Sequence, residues 1–187
     1  MAHAPAPPRE LVVPARGYWV AEDLDELPDG CRYEIVDGAL LVNPSPVPLH
    51  QRVSGRLRDQ LESQLPEGLW VLGDSGVRLG RSVLLPDVLV ADATQFDPLV
   101  TPIPVASVLL MAETESPSSV SQERVLKPHQ YAAAGVAAYW RIELSPALRF
   151  VAHVLRDGRY NIVADAGRGV VELAEPFAVS IDLDALL

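Results

Sequence analysis

Two carboxylates stand in stretches whose neighbours leave no room for an unpaired charge. Residues 83–90 and 107–113 are apolar runs of strand length, and they carry Asp87 and Glu113. Removing a lone carboxylate from water costs several kcal/mol or forces it to take up a proton. Two such acids therefore imply a bound cation, a nearby base or a titrating pair, and a hard divalent ion such as Mg²⁺ meets the need most simply. Glu115 lies two residues beyond Glu113, so a strand continuing through Thr114 turns both acids to one face of the sheet. Downstream, residues 119–134 read as a helix containing Lys127, the only lysine among 15 basic residues. Arginine cannot release a proton near neutral pH, and its planar fork does not replace a compact ammonium beside an attacking water. The bland alternative for Lys127 is an ion pair with Glu123 one turn earlier.

The order of these residues resembles a known superfamily. Pro86-Asp87, a hydrophobic strand ending in Glu113, Ser116-Pro117-Ser118, and a helix with Lys127 and Tyr131 followed by Ala132, Ala133, Ala134, Gly135 and Val136 are similar to the PD-(D/E)XK nucleases. Within them the likeness is to the Uma-type restriction-endonuclease group. It extends upstream through Arg32, Tyr33, Glu34, Ile35, Val36, Asp37 and Gly38, then Pro44-Ser45-Pro46 and His50-Gln51, and so spans about residues 18–160. The resemblance implies an α/β (α+β) restriction-endonuclease-like fold: a mixed β-sheet core flanked by helices, with an added N-terminal hairpin and a β-rich C-terminal part.

It also implies hydrolysis of DNA phosphodiesters with Mg²⁺ or Mn²⁺. Asp87, Glu113 and the main-chain carbonyl of Thr114 would be the metal-binding groups, and Lys127 would orient the attacking water. Glu34 and His50 would support them, the first through a second ion or a held water, the second by touching a phosphate or the attacking water. Glu115 occupies the position where the usual motif has its lysine, so the lysine must come from the helix. We expect Glu115 to lie near the site without acting in catalysis. Two other readings stay open: a nuclease-fold binding or regulatory module without cleavage, and a hydrolase of small phosphate esters, for which no glycine-rich phosphate loop argues.

Composition bounds these readings. At 187 residues and 49% hydrophobic, the chain suits one sizeable core. We expect residues 1–17, rich in proline and alanine, to be a flexible arm and residues 18–187 to form one domain, with a homodimer left open. No apolar run reaches a membrane-spanning length, and no leader-like block opens the chain, so we expect no membrane association and a cytoplasmic location. One cysteine, Cys31, excludes an internal disulfide and a cysteine-based zinc cage. The net charge of -10 runs against a strongly DNA-binding surface: either arginines gather on one face, a cation is bound or a basic partner joins, or the chain does not act on nucleic acid.

The elements that must position the site follow from periodicity. Asp37-Gly38 between residues 32–36 and 39–42 marks a tight hairpin, preceded by a short helix over residues 19–27. On its first strand, Glu34 and Arg32 share a face and could form a mere surface pair. Leu49, Val53, Leu57, Leu61 and Leu65 recur every four residues, predicting a helix with one buried face. Arg52, Arg56 and Arg58 lie off that stripe, as solvated charge or as a phosphate-contacting patch. Strands are expected at residues 69–72, 76–79, 138–144, 148–155, 160–164, 170–173 and 177–183, with Asp157-Gly158 as a second hairpin turn. Residues 92–104 read as a loop. His153 is placed on an outward or edge position, and Pro128 predicts either a kink or a fresh helix start beside Lys127.

Overall fold

In the computed structural model, which describes residues 11–115 and 125–187, the hairpin forms as its turn chemistry dictates. Asp37 and Gly38 have φ of 48° and 88°, the doubly positive geometry of a primed turn between β1 (Arg32–Val36) and β2 (Ala39–Asn43). The preceding segment is a 3-10 helix, Ala21–Glu26. Helix α1 (Pro48–Glu62) starts with a proline in its first turn and buries Val53, Leu57 and Leu61, while Leu49, expected on the same stripe, is exposed. In that first turn the helix directs His50 inward to Asp87 and leaves Leu49 facing solvent.

The chain continues through β3 (Leu69–Leu72), β4 (Val77–Leu79), β5 (Ser82–Leu84), β6 (Val88–Asp92), the two-residue β7 (Ile103–Pro104) and β8 (Val108–Glu115). The apolar run over residues 83–90 is thus two strands rather than one. They belong to different sheets, and Leu85, Pro86 and Asp87 make the crossing between them. Proline lacks the amide a ladder requires, so the break falls where Pro86 stands.

Helix α2 (Lys127–Ala133) follows, with Pro128 in its first turn, where a missing amide costs nothing. Residues 119–124 of the expected helix, Ser116-Pro117-Ser118, the Glu123 partner and residues 1–10 of the arm lie outside the described residues, while Val125 and Leu126 form a short π-helical lead into α2. Then come β9 (Ala138–Glu143), β10 (Arg149–Arg156), β11 (Arg159–Ala166), β12 (Val170–Leu173) and β13 (Val179–Asp182). Asp157 and Gly158 repeat the positive-φ turn between β10 and β11.

Among the described residues, the six-stranded sheet has the order β11-β10-β9-β8-β6-β3 and the five-stranded sheet β2-β1-β5-β4-β7, with β12-β13 as a separate pair. The large sheet is mixed: β8 and β9 are parallel, joined by a crossover that contains α2, and its other pairings are antiparallel. One face of it packs on α1 and the β12-β13 pair through Val53, Leu57, Leu61, Val90, Trp140 and Ile181. The opposite face packs on α2 and the five-stranded sheet through Leu89, Met111, Tyr131, Tyr139, Val77 and Leu84. Strand β8 is therefore covered on both sides, which is why it reads as an unbroken apolar run.

His153 is not at an edge, since β10 lies between β9 and β11. Its ring stacks on Tyr139 at 5.4 Å and its Nδ1 lies 3.1 Å from the Tyr139 carbonyl oxygen. Its side chain is half-buried in an aromatic layer with Tyr139 and Tyr160 rather than turned outward. No helix among the described residues is long and apolar enough to cross a membrane.

Candidate active site

Five elements or connections converge where the two large sheets meet. Alternation along β8 turns Glu113 toward α2 and the five-stranded sheet, and turns Thr114 toward α1, where its hydroxyl pairs with that of Ser54 at 2.8 Å. On α2, Lys127 and Tyr131 are four residues apart and share a face. Lys127 Nζ donates to Glu113 Oε2 at 3.0 Å, and the Tyr131 hydroxyl donates to Glu113 Oε1. The same ammonium lies 3.2 Å from Glu34 Oε1 on β1. Glu34 accepts two further bonds, from the Leu85 amide at 2.8 Å and from the Asn43 side chain at 2.7 Å. It is not the surface partner of Arg32: Glu34 is 1% exposed, and Arg32 turns instead to Asp74 and Asp87.

Asp87 begins the return into the large sheet. Its Oδ2 accepts from the Thr114 amide at 2.9 Å and lies 3.0 Å from His50 Nε2 on α1, while Oδ1 lies 3.4 Å from the Arg32 guanidinium. Strand β6 starts only at Val88, opposite Ala112, so the carboxylate of Asp87 takes over where backbone pairing with β8 stops. Asp87, Glu113, Glu34, His50 and Lys127 are all buried.

Burial sets the electrostatics, and the neighbours decide its outcome. Burial alone would raise the Asp87 pKa, but His50, Lys127 and the Thr114 amide outweigh it and hold the carboxyl below its ordinary value. Burial would lower the Lys127 pKa, yet Glu113, Glu34 and Asp87 carry it above the usual lysine range. Tyr131 is pushed well above its ordinary value, by burial first and then by the Glu113 charge, so it stays a hydroxyl donor.

Glu115, the remaining predicted residue, is buried at the end of β8, with Oε2 3.8 Å from Arg141 Nε. It thus lies on the Arg141 side of the cluster, and Glu115→Gln is expected to leave turnover within about tenfold of wild type in a cleavage assay. The helix arginines divide. Arg52 and Arg56 bind backbone oxygens at the C-terminal end, Arg52 to Leu187 and Arg56 to Ala185, each at 2.9 Å. Arg58 instead lines a cleft of about 200 Å³ with Arg32, His50 and Asp87.

Sequence reasoning assigned no role to Tyr131 or Asn43. Tyr131 had a signal, its spacing of four from Lys127; Asn43 had none, since its contact with Glu34 depends on hairpin register. Tyr131→Phe removes one of the donors on Glu113 and is expected to lose about 1 kcal/mol in urea unfolding.

Among the described residues, no group of three histidine, cysteine or acidic side chains forms a metal cage. Asp87 and Glu113 nevertheless supply oxygen ligands of the type Mg²⁺ prefers, and that ion is commonly held by one or two carboxylates with water and substrate phosphate completing the shell. Three buried acids, Glu34, Asp87 and Glu113, face two permanent cations, Lys127 and Arg32. The donor types and that imbalance suit a hard cation, while each oxygen of Asp87 and Glu113 already meets a protein donor.

Comparison of this fold with solved structures gives a likeness to the crystal structure of "a putative nuclease belonging to DUF820" from Anabaena variabilis ATCC 29413. The TM-score is 0.67 at 13% identity, covering 90% of this chain and 97% of that one, which is a likeness of fold. The model of the Uma2 family, described as "Putative restriction endonuclease", matches residues 21–184. The chain belongs to the Uma2 family. A comparison with curated proteins gave no match.

Proposed function

We propose that this protein is a nuclease that hydrolyses phosphodiester bonds, and more finely that it is a Mg²⁺-dependent endonuclease acting on DNA. The reading is carried by one observation: Glu34, Asp87, Glu113 and Lys127, drawn from β1, the β5–β6 crossing, β8 and α2, form a single buried polar cluster. Membership of the Uma2 family supports it.

In this reading Asp87 and Glu113 would hold the ion, together with the Thr114 carbonyl. When bound, Mg²⁺ would make water a better nucleophile and draw charge from the phosphoryl oxygen. Lys127, protonated because three acids surround it, cannot serve as a base. It acts as a fixed positive charge that orients the water and offsets negative charge on the phosphorus centre as the P–O bond to the departing sugar oxygen breaks. Glu34, pinned by Leu85 and Asn43, aims the ammonium. His50 sets the orientation of the Asp87 carboxylate.

A second reading, a binding module without cleavage, draws on the fact that Asp87 and Glu113 already have protein donors. Incubating plasmid and oligonucleotides with Mg²⁺, Mn²⁺ or EDTA separates the two. Metal-dependent cleavage by the wild type, absent in Asp87→Asn and Lys127→Met, is the expected result. Metal binding by calorimetry with no cleavage of DNA or RNA would overturn the nuclease reading.

A further inference from the structure

Next to the cluster lies a larger hollow, about 510 Å³, which shares Arg32, Pro46, Gln51 and Asp74 with the Asp87 cleft. Its size falls in the range of small-ligand sites, roughly 300–1,000 Å³. Leu24, Tyr33, Val83, Leu85 and Pro102 give it apolar and aromatic walls. Leu85 also joins it to the catalytic cluster, since its amide binds Glu34 and its carbonyl lies 3.5 Å from Lys127. The rim carries Asp25 and Asp74 beside Ser45, Gln51 and Thr101. Those carboxylates oppose a phosphate inside the hollow, but they accept hydrogen bonds from amino groups.

We infer that this hollow receives an unpaired nucleobase next to the bond to be cut, so the preferred substrate is single-stranded or locally opened nucleic acid. The inference rests on the nuclease reading and goes beyond it by naming the substrate class. A base held in a duplex offers only an edge, so it enters a hollow once it is unstacked and unpaired. Stacking of an unpaired base on an aromatic side chain contributes affinity beside the phosphate contacts a single strand also makes, and Tyr33 offers such a ring on the wall of the hollow. The net charge of -10 limits how many phosphates this chain can neutralise, so contacts to bases count for more in its affinity. Arg32, shared by both spaces, stands between base and phosphate.

Cys31, the single cysteine, is exposed on the wall of the hollow and serves as the probe. Its alkylation by iodoacetamide would be timed in EDTA and in Ca²⁺, with short single-stranded DNA, single-stranded RNA, a duplex, and an abasic oligomer of equal phosphate number. At saturation, slowing by about tenfold with an unpaired DNA or RNA, little with the duplex and little with the abasic oligomer, is the expected result. Whichever sugar protects more identifies the source of the base. Equal protection by the abasic oligomer, or none by any, overturns the inference. The exposed rim residue offers a second arm: Ser45→Trp, which fills the mouth, should raise the concentration needed for protection by about tenfold. Cleavage of the same oligomers in Mg²⁺ is scored separately. Cutting without base-dependent protection defeats only the hollow, and base-dependent protection without cutting defeats only the nuclease.

Discussion

Asp87→Asn is expected to lower phosphodiester cleavage by about a thousandfold while leaving the fold intact. The amide keeps an oxygen for the Thr114 N–H, so the backbone contact at the crossing survives. What it loses is the charge: a neutral amide is a poor ligand for a hard divalent ion, and it no longer balances Arg32 and His50. The loss should therefore fall on metal affinity and turnover together. Single-turnover rates across a Mn²⁺ titration, with circular dichroism to check folding, would measure it. Cleavage within tenfold of wild type would remove Asp87 from the site.

Lys127→Met should have the larger effect on stability. Its ammonium lies between Glu34 and Glu113 in a buried setting, and removing one partner of a buried ion pair costs about 3–5 kcal/mol because the other charges stay behind. Activity should be undetectable, and Lys127→Arg should not restore it, since the guanidinium fork does not fit a point-charge position between two acids. The pH dependence of urea unfolding gives a separate reading. The folded pKa of Lys127 is raised above its ordinary 10.5, so its stabilising contribution is complete below that pH and fades as pH rises toward the folded value. Wild type should therefore lose stability above pH 10.5 along a slope that Lys127→Met lacks. At the other end, Asp87 has a folded pKa below its ordinary 3.8, so its contribution holds above that value and disappears as pH falls through the folded one.

Much of this arrangement was legible in the residues. The Asp37-Gly38 turn, the Val53-Leu57-Leu61 face of α1 and the continuous apolar run of β8 each follow from local chemistry, and each formed where periodicity put it. Family resemblance supplied the pairing of Asp87 with Glu113 and Lys127. Local pattern could not show that residues 83–90 divide between two sheets, because an apolar run looks the same whether its neighbours come from one sheet or two. The partner of Glu34 was equally hidden: Arg32 is two residues away and Lys127 is 93 away, and only tertiary packing brings the distant one closer. Likewise Arg58 could not be told from Arg52 and Arg56, since the C-terminal oxygens that engage the latter two are set by the return of the chain.

The crossing at Leu85-Pro86-Asp87 makes the buried polar cluster also the weld between two sheets. Glu34 belongs to one and Glu113 to the other, and a single ammonium fastens them. A lineage abandoning the chemistry could not shed these charges one at a time without loosening that joint. It would have to exchange them together for well-packed apolar residues, a swap that in other proteins often leaves stability unchanged or improved.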